Sequence, residues 1–181
     1  GANDPALQST VVLIKFLVNL SRGKEPWWGD SRAVTRCLQI TGREATSKFT
    51  PTAEQLAAKL LGSSHSSALE GRVAIVTGAS AGIGMETARV LMKHGCHVIF
   101  AVRNVKKGEG VLAQLQGKGT VMELDTSDLE SVKAFVKQFT ALRLPLHYLV
   151  LNAGIMAPDK EGRSKQGFEL QFATNHLGHF L

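Results

Sequence analysis

Apolar and polar positions alternate regularly from Arg72 onward. Short apolar runs at Arg72–Thr77, His97–Val102, Thr120–Leu124 and Leu146–Leu151 predict strands. The stretches between them, Gly84–Lys93, Lys106–Leu115 and a segment running to about Thr140, predict helices. Ser127-Asp128-Leu129-Glu130 has capping-box spacing and marks the start of the third of these. Short apolar strands separated by helices call for right-handed βαβ units in a parallel sheet covered on both faces. The expected class is therefore α/β, the N-terminal half of a doubly wound parallel sheet.

Residues 1–68 have a different character and predict a mainly helical or irregular extension and linker ahead of a domain over 69–181. Val11–Leu20 is too continuously apolar to show a clean helical or strand period. Trp27 and Trp28 follow a Gly- and Pro-containing break, and Ser31–Ile40 could form a short helix. The tryptophans suit the cover of a core, or an anchor to a membrane interface or a partner. Thr50-Pro51-Thr52-Ala53-Glu54 reads as a helix start, with Thr50 as N-cap, Pro51 in the first helical position and Glu54 near the first turn. That helix would end near Leu61, before the serine-rich link Ser63–Ser67.

Composition narrows the class without naming a chemistry. Of 181 residues, 44% are hydrophobic and 20% charged, which argues against wholesale disorder. No apolar run reaches the roughly 18 residues of a membrane-spanning helix. Cys37 and Cys96, the only cysteines, exclude a disulfide scaffold or a Cys-based zinc cluster. The net charge of +6 is spread along the chain: residues 1–70 carry 8 basic and 6 acidic side chains, and residues 71–181 carry 13 and 9. With no block of like charge, a nucleic-acid partner is not indicated. His176 and His179 are three apart, but no third ligand stands at a sensible spacing and no metal site is expected.

The candidate chemistry begins where the first strand runs into Thr77-Gly78-Ala79-Ser80-Ala81-Gly82-Ile83-Gly84. Glycines after a strand and before a helix permit a sharp turn, close approach of a pyrophosphate and tight packing of helix on strand. The helix N-terminus then offers N–H groups and partial positive charge to phosphate. Gly78, Ser80, Ala81, Gly82, Ile83 and Gly84 are the phosphate-cradle candidates, in a Gly-x-x-x-Gly-x-Gly spacing. A second strand ending in Val102 and followed by Arg103 and Asn104, with no acidic residue for a ribose 2′-hydroxyl, points to the 2′-phosphate of NADP(H).

This loop, Leu151-Asn152-Ala153-Gly154 after the fourth strand and Asn175-His176-Leu177-Gly178-His179-Phe180 together resemble the short-chain dehydrogenase/reductase superfamily. The likeness is strongest to its retinol dehydrogenase-like group. Met122–Asp125 and Glu169–His176 resemble the plant chloroplast-envelope members of that group. The resemblance covers about 69–181 and leaves 1–48 unmatched. It implies a Rossmann-type fold with strand order 3-2-1-4, and NADP preference. Asp125 and Thr126 would border the adenine, and Asn152, Ala153 and Gly154 would line the ribose region. Thr77-Gly78 and Asn152 would face each other at the topological switch point. Leu151 stands where the family usually has a second asparagine.

The resemblance also implies catalysis by a tyrosine, a lysine four residues later, a serine and an asparagine. Asn175 matches the asparagine. Tyr148, the only tyrosine, is followed four residues on by Asn152, and the sequence holds no Tyr-x-x-x-Lys. The expectation is a partial chain of an NADP-dependent oxidoreductase, inactive as it stands, whose full protein transfers hydride between nicotinamide and a carbonyl or alcohol substrate. The alternative is a non-catalytic NADP-binding subunit or interaction protein, partnered with a protein or membrane surface through residues 1–48. Oligomerisation and compartment stay open at this stage, with plastid and membrane-associated cytoplasmic locations both compatible with the sequence.

Overall fold

The computed structural model describes residues 52–61, 67–156 and 162–181. The readings made for Val11–Leu20, Trp27–Trp28, Ser31–Ile40, Thr50 and the link over 63–66 lie outside these residues. The chain divides into two units, Gly1–Ser64 and His65–Leu181.

Within the first unit, helix α1 spans Ala53–Leu61. Its cap is Thr52: the Thr52 hydroxyl accepts from Gln55 N at 3.2 Å, and the Gln55 amide oxygen accepts from Thr52 N at 2.9 Å. This reciprocal pair is a capping box. The N-cap therefore falls two residues later than Thr50.

The second unit holds β1 (Val73–Thr77), α2 (Gly82–Lys93), β2 (His97–Val102), α3 (Val105–Leu112), β3 (Gly119–Glu123), α4 (Leu129–Ala141) and β4 (Tyr148–Val150). A final helical stretch, α5, is α-helical over Leu170–Phe172, π-helical over Ala173–Leu177 and α-helical again over Gly178–Phe180. All strand pairings are parallel, as the alternation predicted, and the order is β3-β2-β1-β4, as expected for a Rossmann-type sheet.

The two-residue period of the strands sorts their side chains into two cores. Ala74 and Val76 of β1, with Val98, Phe100 and Val102 of β2, meet Ala88 and Met92 of α2. Val73, Ile75, Ile99 and Ala101 meet Val132 and Phe135 of α4 on the other face. β1 is buried at every position because it is central and covered on both sides. β4 is an edge of the sheet, and Leu146 and Leu149 beside and within it are exposed.

The fourth strand is shorter than the predicted Leu146–Leu151. At its entry the His147 ring takes over backbone work: Nδ1 accepts from Val73 N at 2.9 Å, while His147 N donates to Val73 O at 3.0 Å. The helix starts shift as well. Helix α2 begins at Gly82, inside the glycine loop. Helix α4 is capped by Asp128, whose carboxylate accepts from Glu130 N at 3.1 Å. The predicted Ser127–Glu130 box does not form, because the Ser127 hydroxyl and amide both donate to Asp125 Oδ1, at 2.6 and 2.9 Å.

Candidate functional site

The parallel register sets the site. Val76 of β1 lies opposite Val150 of β4, so the next residues, Thr77 and then Gly78, leave the sheet beside Asn152 and Ala153. The Thr77 hydroxyl oxygen accepts from Asn152 N at 2.8 Å and from Ala153 N at 2.9 Å, and the Asn152 side-chain amide donates to Thr77 O at 3.0 Å. The loop after β1 and the turn after β4 are thereby joined at the C-terminal edge of the sheet, where open α/β sheets bind ligands. Thr77 was read as facing Asn152, but its hydroxyl as the fastening group was not read from the sequence.

Backbone geometry explains the glycines. Gly78 has φ +70°, and a Cβ there would lie 3.0 Å from Ala153 Cα. A Cβ on Gly84 would lie 2.5 Å from both Gly78 O and the Asn152 side-chain nitrogen. Gly84 is therefore required by the close approach of α2 to the loop. Ser80 and Ile83 are partly buried, and Ala81 and Gly82 are exposed.

The start of α2 differs from those of its neighbours. Asn104 caps α3 by accepting from Lys107 N at 2.9 Å, and Asp128 caps α4. Ala81, the N-cap of α2, offers no side-chain hydrogen bond, and the first turn carries no acidic residue. Such an end presents N–H groups and positive potential to an anion. Arg103 follows β2 at the same edge of the sheet and is exposed, with no hydrogen-bond or ion-pair partner among the described residues. The Asn104 side chain is committed to its cap.

Asp125 and Thr126 follow β3. Asp125 is held in a turn by Ser127, and its amide donates to the Ser131 hydroxyl at 3.0 Å. Thr126 is buried. A Cβ on Gly178 would run into the Thr126 carbonyl, so α5 passes directly against this turn.

Asn175 sits in the middle of the π-helical turn, and π turns inside α-helices often accompany functional sites. Its amide pairs with Ile155 on both sides, accepting from Ile155 N at 2.8 Å and donating to Ile155 O at 2.8 Å. Gly154 leaves the room this needs, since a Cβ there would lie 3.0 Å from Asn175 Oδ1. The sequence candidates Gly78–Gly84, Asn152–Gly154 and Asn175 are thus linked through Thr77 and Ile155, while Arg103, Asp125 and Thr126 follow the neighbouring strands at the same edge.

His176 and His179 go separate ways. His176 stacks between Phe172 and Phe180, with ring centroids 5.2 and 6.1 Å away, whereas His179 Nε2 lies 3.0 Å from the Thr77 hydroxyl. Sequence reasoning also missed Glu169 as a cap. Its carboxylate accepts from Gln171 N at 2.7 Å and Phe172 N at 2.6 Å, and these donors lower its pKa.

Residues 72–181 match the short chain dehydrogenase family. The chain belongs to that family. The short-chain dehydrogenase TIC 32 B, chloroplastic, of Brassica napus is 40% identical over 149 residues, covering 78% of this chain and 44% of that relative. Human retinol dehydrogenase 11 is 45% identical over 118 residues, covering 62% of this chain and 37% of its own length. The chain thus spans less than half the length of these curated relatives. A crystal structure of a protein from Mycobacterium paratuberculosis matches with a TM-score of 0.58 and 42% identity, over 62% of this chain and 40% of that one.

Proposed function

We propose that this chain forms the NADP(H)-binding half of a short-chain oxidoreductase that moves hydride between nicotinamide and a carbonyl or alcohol carbon. The observation that carries this reading is the uncapped start of α2 beneath the glycine loop, with Arg103 exposed after the adjacent strand. The residues fit the group. Space closed to any Cβ at Gly84 keeps the loop backbone close to α2, and the N-terminal amides of α2 would receive the pyrophosphate.

Arg103 would receive the 2′-phosphate, where a planar guanidinium makes paired hydrogen bonds, while the Asn104 side chain stays on its cap. Asp125 and Thr126 would border the adenine, Asn152–Gly154 the ribose, and Asn175 the reacting end. The bound dinucleotide supplies the hydride. The chain's own residues bind and orient it and hold Asn175 in place through Ile155.

The 181 residues contain no Tyr-x-x-x-Lys pair. By the family's chemistry they bind dinucleotide but do not themselves protonate a carbonyl oxygen. Human retinol dehydrogenase 11 among the relatives favours a lipophilic alcohol or aldehyde as the full protein's substrate. Titration with NADPH and NADH, followed by nicotinamide fluorescence, tests the cofactor assignment. NADPH should bind about tenfold or more tightly than NADH, in line with one charge-assisted contact. Equal affinities would refute the role given to Arg103.

A further inference from the structure

We propose that His179, as the neutral Nδ1–H tautomer, is the positioning residue that fixes the Thr77 hydroxyl and through it the Asn152–Ala153 turn. A hydroxyl oxygen has two lone pairs and one proton. Both lone pairs of Thr77 are taken, by Asn152 N at 2.8 Å and Ala153 N at 2.9 Å. The hydroxyl proton therefore needs an acceptor of its own. Val150 O lies 3.4 Å away and His179 Nε2 lies 3.0 Å away. The second is within ordinary hydrogen-bond range and the first is beyond it. The Nε2 atom must then carry no proton.

The other ring nitrogen makes the same demand from the opposite side. His179 Nδ1 lies 3.3 Å from the Asn175 carbonyl oxygen, one turn earlier along α5. A carbonyl oxygen only accepts, so this longer contact is favourable only with Nδ1 as donor, and it supports the assignment that the shorter Nε2 contact carries. An imidazolium would satisfy Asn175 but would aim a second donor at a hydroxyl whose lone pairs are filled. The neutral Nδ1–H ring alone satisfies both neighbours. The result is one directed chain: Asn152 and Ala153 amides donate to Thr77, Thr77 donates to His179, and His179 donates to the Asn175 carbonyl in the π turn. The ring ties α5 to the first strand and orients the hydroxyl that both turn amides use. What the turn is for rests on the function proposed above; the hydrogen-bond assignment does not, so its test uses the protein without cofactor.

Long-range proton–nitrogen correlation spectra of the 15N-labelled wild-type protein read the tautomer directly. The His179 Nε2 resonance should fall in the unprotonated acceptor range and Nδ1 in the protonated range. A protonated Nε2 would overturn the proposal. Amide exchange then tests the positioning role. His179→Phe keeps a flat ring and removes both nitrogens, so exchange at Asn152 and Ala153 should rise about tenfold while Ile75 and Ile99 in the central strands stay unchanged. His179→Gln returns an acceptor to Thr77 and should restore exchange to within about threefold of wild type. No change in the Phe variant, an equal rise at Ile75 and Ile99, or failure of Gln to restore protection would each contradict the role. If the Phe variant does not fold, the wild-type tautomer still decides.

Discussion

At Gly84 a single hydrogen separates a fitted turn from a collision, since a Cβ would sit 2.5 Å from the Gly78 carbonyl oxygen. That atom belongs to backbone and cannot swing away. Gly84→Ala should therefore displace the start of α2, destabilise the domain by about 1–3 kcal/mol and weaken NADPH binding at least about tenfold. Urea denaturation and a fluorescence titration read the two effects. Arg103 makes the opposite case, because it is exposed and contributes nothing visible to packing. Arg103→Gln should leave the denaturation midpoint alone and weaken NADPH about tenfold, with NADH changed by less than about twofold. Parallel loss of both cofactors would place the arginine elsewhere than at the 2′-phosphate. Both residues stood out in the sequence because a glycine spacing and a charge after a strand are local signals. Thr77 as the fastening hydroxyl was not legible, since its partners Asn152 and Ala153 are 75 and 76 residues away.

Among the elements, α4 shows how one carboxylate can serve two purposes. Asp128 caps the helix through Glu130 N and also accepts from Lys165 Nζ and from the Gln166 amide at 3.0 Å, fastening the segment before α5. The Lys165 hydrogen bond, with Gln166 next, lowers the Asp128 pKa from 3.8 to about 2. A carboxylate lowered in the folded state contributes stability that is complete above its unfolded pKa and fades as pH falls through the folded one. The contribution should hold above about pH 4 and fade as pH falls through about 2. Asp128→Asn should lower the denaturation midpoint at pH 6 and flatten its decline between pH 4 and 2; an unchanged acid limb would mean the Lys165 contact does not hold in solution.

The strands were largely legible because parallel buried strands read as continuous apolar runs. Their ends were not. Capping passed from Ser127 to Asp128 because Ser127 was drawn to Asp125, and β4 was shortened where the His147 ring engages Val73. Those choices depend on neighbours that a linear pattern does not display.

For the whole unit, the deciding property is a central β1 covered on both faces, with the two cores meeting across the sheet. Cys96 lies in one of these cores, fully buried, and burial raises its thiol pKa to about 11. A thiol so placed is almost never thiolate at neutral pH and reacts only when the fold opens. Peptide-resolved alkylation should leave Cys96 unmodified at pH 8 until denaturant reaches the global transition; earlier labelling would show that this core opens locally.

In the function proposed above, the glycine loop, Arg103, the Asp125–Thr126 turn and the Asn152–Gly154 turn form one NADP(H) site. Amide mapping by 15N spectra during addition of NADP+ tests it most directly. The largest shifts should cluster at Gly78–Gly84, Arg103, Asp125–Thr126 and Asn152–Gly154, with the far end of the sheet around His97 and His147 unmoved. Shifts centred elsewhere, or none at saturating NADP+, would contradict it.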